Sequence, residues 1–150
     1  MDPTHAALFS SFLCLSVAWD VLERRIPNQL LVVYVLFALC VAARSWATLG
    51  AALAGTALGL GLLFPPFALG FIGAGDAKFF AVVGTFLGPT RTLHALVLGM
   101  AAGGVFALPL VYLRARGLVA GPKATVPYAL PLSLGAVAAL VCDWAGVSIL

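Results

Sequence analysis

The chain has 150 residues, 63% of them hydrophobic and 9% charged, with a mean hydropathy of +1.15. A water-exposed surface needs far more charge than this, so the composition excludes an ordinary soluble domain and points to lipid as the main solvent. The net charge of +3 rests on few residues and implies no nucleic-acid partner.

Six apolar segments are expected, at about 4–20, 28–44, 47–69, 77–90, 92–113 and 127–147. The first carries no Lys or Arg ahead of it, so it reads as a retained helix rather than a cleavable signal. Arg24-Arg25-Ile26-Pro27-Asn28 separates it from the second, with Pro27 suited to a helix start. Arg44 marks the next break. Pro65-Pro66 should kink or end the third helix early, because proline removes a backbone donor and clashes one turn back. Gly70 to Asp76 is a glycine-rich turn. The fourth segment is short for a span and could be half-buried or tilted. Pro89 and Arg91 close it, and Arg114 to Pro127 forms the longest polar connection.

Charge placement sets the topology. Cytoplasmic loops carry excess Lys and Arg. With six spans and the N-terminus outside, Arg24, Arg25, Lys78, Arg114, Arg116 and Lys123 fall inside, and Arg44 and Arg91 outside. If the fourth segment did not cross, the eight would divide evenly. The expected fold is therefore all-α: a polytopic membrane bundle of about six helices, N-terminus outside, forming a single domain over 1–150.

Cys14, Cys40 and Cys142 lie inside apolar stretches with no C-x-x-C spacing, and read as small buried hydrophobes. Gly55, Gly59, Gly99, Gly103 and Gly104 read as close helix packing. His5 and His94 are isolated and fall toward the outside, so no metal site and no cofactor is expected.

Of the five acidic residues, Asp20 and Asp76 stand out. Asp20 closes the first apolar segment and Asp76 opens the fourth, so the topology puts both at the cytoplasmic edge. Two carboxylates brought close cannot both ionise cheaply, and one keeps its proton. Such a pair suits peptide hydrolysis: one carboxylate takes a proton from water, and the other stabilises the oxyanion and feeds the leaving amine. The plain alternative is that Asp76 caps a helix and Asp20 pairs with Arg24, four residues on. Against it, Gly73-Ala74-Gly75 precedes Asp76. Glycines there would open backbone conformations closed to other residues and admit an extended substrate strand.

Asp20-Val21-Leu22-Glu23-Arg24-Arg25-Ile26-Pro27-Asn28 resembles the first signature of the type IV prepilin leader peptidases. Gly73-Ala74-Gly75-Asp76-Ala77-Lys78 resembles their second, the Gly-x-Gly-Asp motif of intramembrane aspartyl proteases, and Val126-Pro127-Tyr128-Ala129-Leu130-Pro131 resembles the start of their last helix. The resemblance runs from about residue 10 to about 140. It implies an aspartyl endopeptidase of the bacterial inner membrane, with Asp20 and Asp76 as the catalytic pair. Such an enzyme cleaves the basic leader of prepilin-like substrates at the cytoplasmic face. Gly73, Gly75, Lys78, Glu23 and Asn28 are candidate substrate-binding or supporting residues. Lys78 reads equally as a stabiliser of a carboxylate or a snorkelling anchor, and Glu23 as a partner for a basic leader. The cysteine-bearing region of the long family members has no counterpart here, so the expected form is peptidase-only, as in tight-adherence pilus systems, without methyltransferase activity. Two other classes fit the composition: a small transporter or channel subunit using the Asp pair for a proton or cation, and a non-enzymatic pilus or secretion assembly protein.

Overall fold

A computed structural model gives the fold; it describes residues 3–23, 26–70, 72–115 and 129–145, with backbone alone over 106–115. Asp2, Arg24, Arg25, Arg116, Lys123 and Val126 to Tyr128 lie outside the described residues. The described residues form five helices: α1 (Pro3–Glu23), α2 (Asn28–Ala42), α3 (Trp46–Ala68), α4 (Ala74–Ala115) and α5 (Ala129–Trp144). Three stretches are long and apolar enough to cross a membrane, Pro3–Glu23, Trp46–Ala68 and Ala74–Val105; α2 and α5 are apolar but shorter. The described residues thus form an all-helical, membrane-like bundle. Six spans are not shown, because the fourth and fifth expected segments join in α4.

Gly88 divides that helix. Its φ of 75° and ψ of 174° are non-helical, and the positive φ is open to glycine because it lacks a Cβ. The break falls where Pro89 and Arg91 predicted one. Beyond it the chain runs back along α5: Gly99 lies against Leu132, Gly103 against Pro131, and Gly135 against Ala95 and Gly99. Rising residue numbers in one helix meet falling numbers in the other, so this half of α4 and α5 are antiparallel.

The first half of α4 is the centre of the bundle. Every residue from Phe79 to Leu87 is buried. Phe79 stacks on Phe12, and Phe86 meets Phe9 and Phe12. The short segment that looked half-buried from sequence is therefore the most enclosed. A helix wrapped by protein on all sides needs no lipid-length apolar run.

Close approach to α3 makes this possible. At Gly55 an added Cβ would strike the Gly84 carbonyl, and at Gly84 it would strike that of Gly55. One turn away, a Cβ at Gly59 would sit 2.7 Å from the Phe80 carbonyl oxygen. The Thr56 and Thr85 hydroxyls hydrogen-bond across the same crossing at 2.7 Å. Small residues and such hydroxyl bonds are the usual adhesive between helices in lipid. Gly84 and Gly135 join the packing glycines expected from sequence, whereas Gly104 is exposed with open space around it.

Two expectations need correction. Pro65 and Pro66 do not end α3, which continues to Ala68 before Gly70, at φ 77°, turns the chain. Cys14 and Cys40 are exposed and Cys142 half-buried. Their faces of α1 and α2 point outward, beside exposed Leu15, Leu36 and Phe37, where a bundle in lipid keeps apolar side chains.

The crossing yields a test. Gly84→Ala should destabilise the folded chain by about 1–3 kcal/mol through overpacking. Gly61→Ala, where nothing lies within 4 Å, should be neutral or stabilising by up to about 1 kcal/mol. Thermal unfolding in detergent measures both, and an unchanged midpoint for Gly84→Ala would contradict the backbone contact.

Candidate active site

Asp20 lies one turn before the end of α1, and its residue is 7% exposed. Its Oδ2 accepts a hydrogen bond from the backbone N–H of Ala129 at 3.3 Å. Ala129 is the first described residue of α5. The bond fixes the level of Asp20 at the start of α5. Arg24, expected from sequence as a partner for Asp20, lies outside the described residues.

Asp76 is the third residue of α4. Its Oδ2 accepts from the backbone N–H of Gly73 at 3.2 Å, while the Gly73 carbonyl receives the N–H groups of Asp76 and Ala77. Gly73 is thus the cap position, and the Asp76 side chain reaches back to it in the manner of the acidic half of a capping box. The sequence alternative of Asp76 as the cap itself is corrected by one turn of geometry.

Phe9 against Phe86 and Phe12 against Phe79 make α1 antiparallel to the first half of α4. Asp20, near the end of α1, and Asp76, in the first turn of α4, therefore lie at the same end of the bundle. The first carboxylate is buried and the second half-buried, with exposed Gly73 and Lys78 beside them, so the pair sits at the border between packed helices and the surroundings.

The glycines act differently from expectation. Neither Gly73 nor Gly75 has a positive φ, so neither is there for an unusual backbone conformation. A Cβ at Gly73 would come within 3.2 Å of the Asp76 carboxylate, and one at Gly75 would meet nothing within 4 Å. Gly73 leaves room for the carboxylate, and Gly75 leaves open space beside the turn.

Lys78 and Asn28 meet. The Lys78 ammonium donates to Asn28 Oδ1 at 3.1 Å, tying the start of α2 to the first turns of α4. Glu23, the last residue of α1, is exposed, and no described contact joins it to this group. Among the described residues no cluster of His, Cys, Asp and Glu could hold a metal ion. Sequence reasoning missed the two backbone donors, Gly73 N–H and Ala129 N–H. The three-residue spacing from Gly73 to Asp76 was the available signal for the first; no side-chain pattern marks the second.

The opposite end is built otherwise. Arg91, just past the Gly88 break, pairs with Asp143 near the end of α5 at 2.8 Å. Fourteen residues of helix separate Asp143 from Ala129, about 21 Å at the α-helical rise. An ion pair of two partly exposed groups there closes α4 against α5, away from the carboxylate pair.

A family model described as the type IV leader peptidase family matches residues 7–108, a stretch that contains Asp20 and Asp76. No curated protein and no solved structure matches the chain.

The Lys78–Asn28 bond is exposed and should be weak. A double-mutant cycle of Lys78→Met and Asn28→Ala should give a coupling of about 0.5–1 kcal/mol in detergent unfolding. A coupling of zero would mean that the two helix starts are not tied by these side chains.

Proposed function

The chain belongs to the type IV leader peptidase family, and from that membership we propose that it is a single-domain aspartyl endopeptidase of the bacterial inner membrane. The protein is a peptidase and a membrane protein; the proposal adds substrate, side and chemistry. The substrate is a prepilin-like protein, cut after its basic leader at the cytoplasmic face. Asp20 and Asp76 do the chemistry. Six crossings with the N-terminus outside complete the reading, the two halves of α4 counting as separate passes. The distribution of Lys and Arg supports this orientation.

One observation carries the proposal: α1 and the first half of α4 run antiparallel, with Phe9 on Phe86 and Phe12 on Phe79, so that Asp20 and Asp76, 56 residues apart in sequence, lie at the same end of the bundle. A carboxylate and a carboxylic acid side by side are what water-mediated peptide hydrolysis requires. The ionised member takes a proton from a water molecule. The resulting hydroxide attacks the scissile carbonyl carbon. The protonated member donates to the oxyanion, and collapse of the tetrahedral intermediate expels the amine, which takes up a proton. No covalent acyl-enzyme forms, because the nucleophile is water.

The surroundings fit this task. Gly75 leaves open space at the turn, so a peptide in extended form can come close to Asp76. Next to Gly73, Ile72 joins Leu63, Pro66, Met100 and Leu132 around an apolar cavity of about 240 Å³. A substrate whose apolar segment follows its cleavage site has an apolar surface to lie against there. Lys78 and Asn28 support the site by holding α2 to α4, and Glu23 stands at the exposed end of α1, where a basic leader would pass.

The test is leader removal. The full chain is co-expressed with a prepilin-like protein, and the substrate's shift in size is followed. Asp20→Asn and Asp76→Asn should each abolish processing while the variants remain in the membrane. Processing that survives in both variants would refute the aspartyl mechanism. Gly73→Ala should slow processing strongly, since its methyl displaces the Asp76 carboxylate, whereas Gly75→Ala should slow it less. Equal rates for Gly73→Ala and wild type would show that this spacing is not needed.

A further inference from the structure

Ala129 lies beyond residues 7–108 of the family match, yet its main chain contacts the first of the two candidate carboxylates. We propose that the backbone N–H of Ala129 is the positioning donor for Asp20, so that the first turn of α5 is a working part of the peptidase site. The inference rests on the aspartyl reading above and adds a residue to it.

Burial makes the partner of this N–H matter. Ala129 is completely buried, so water does not readily serve it, and an unmet donor away from water is costly. Asp20 Oδ2 accepts the bond at 3.3 Å. Both partners are enclosed by protein, which separates this contact from the exposed Lys78–Asn28 bond.

The same bond restricts Asp20. An aspartate carboxylate swings about two side-chain torsions, and an anchor on one oxygen removes most of that freedom. Here the anchor comes from a helix that packs on both α1 and the second half of α4. It holds the carboxylate at the end of the bundle that also carries Asp76. Small displacements of a reacting group cost large factors in rate, so a fixed donor at this point belongs to the catalytic geometry. The donor is also independent of side-chain identity: any residue at 129 except proline supplies it.

That exception makes the test. Proline is the one residue that lacks this N–H. The full chain is purified in detergent, and cleavage of a prepilin-like protein is followed over a range of substrate concentrations. Ala129→Pro should lower kcat by about 10- to 100-fold, the worth of a hydrogen bond to a charged group, with KM unchanged. Ala129→Gly, which keeps the N–H and removes the methyl, should lose far less kcat than the proline variant. Replacement of Ala129 by lactic acid exchanges only the N–H for an ester oxygen and should reproduce the proline result; it decides the matter if the proline variant does not fold.

Wild-type kcat in the ester variant, or an equal loss in Ala129→Gly, would overturn the inference. The outcomes also separate the two readings. Processing that persists in Asp20→Asn sinks the aspartyl mechanism itself. Processing that needs both Asp residues but is indifferent to the N–H at 129 sinks only the role of α5.

Discussion

The structure depends on one backbone contact, the crossing of α3 and α4 at Gly55 and Gly84. With no side chain on either glycine, the two main chains meet directly. The first half of α4 can then sit at the bundle centre with Phe79 to Leu87 buried. In lipid there is no aqueous hydrophobic effect to press apolar helices together, so tight packing and shared hydrogen bonds must do it. The Thr56–Thr85 bond at the same crossing is one such bond. From this crossing, α4 runs back to Asp76 at its start and on to the Gly88 break at its far end.

The two ends of the bundle use polar groups in contrasting ways. At the far end, Arg91 and Asp143 neutralise one another directly. At the Asp20 end, each carboxylate takes a hydrogen bond from a backbone N–H, Gly73 for Asp76 and Ala129 for Asp20. Main-chain donors hold an oxygen in place without any ordering of a long, flexible side chain.

Much of the site was legible in the sequence. The order of apolar runs puts Asp20 at the end of one helix and Asp76 at the start of another, as in the structure, and Asn28 and Lys78, both candidates from the motifs, meet there. The break at Pro89 was also visible, although its geometry belongs to Gly88. Other readings went astray for a common reason. Burial in a membrane bundle does not follow apolarity, because lipid accepts apolar side chains as readily as the interior does. Hence Cys14 and Cys40 lie on the outside, and the segment with the weakest claim to span is the core. The Gly73–Asp76 turn went astray differently: two glycines suggested an unusual backbone, and the structure uses the first for its lack of a side chain.

Sequence by itself determined what kind of molecule this is: its apolar runs demand lipid and helices, its prolines, glycines and charges punctuate them, and its two Asp motifs declare a family. These properties are carried by side chains, and side chains can be read in order. Tertiary structure alone decided which helix is central, which glycines touch, and which donor holds Asp20. Those depend on where two backbones cross, and the N–H that meets Asp20 belongs to every amino acid but proline, so no letter at position 129 could announce it.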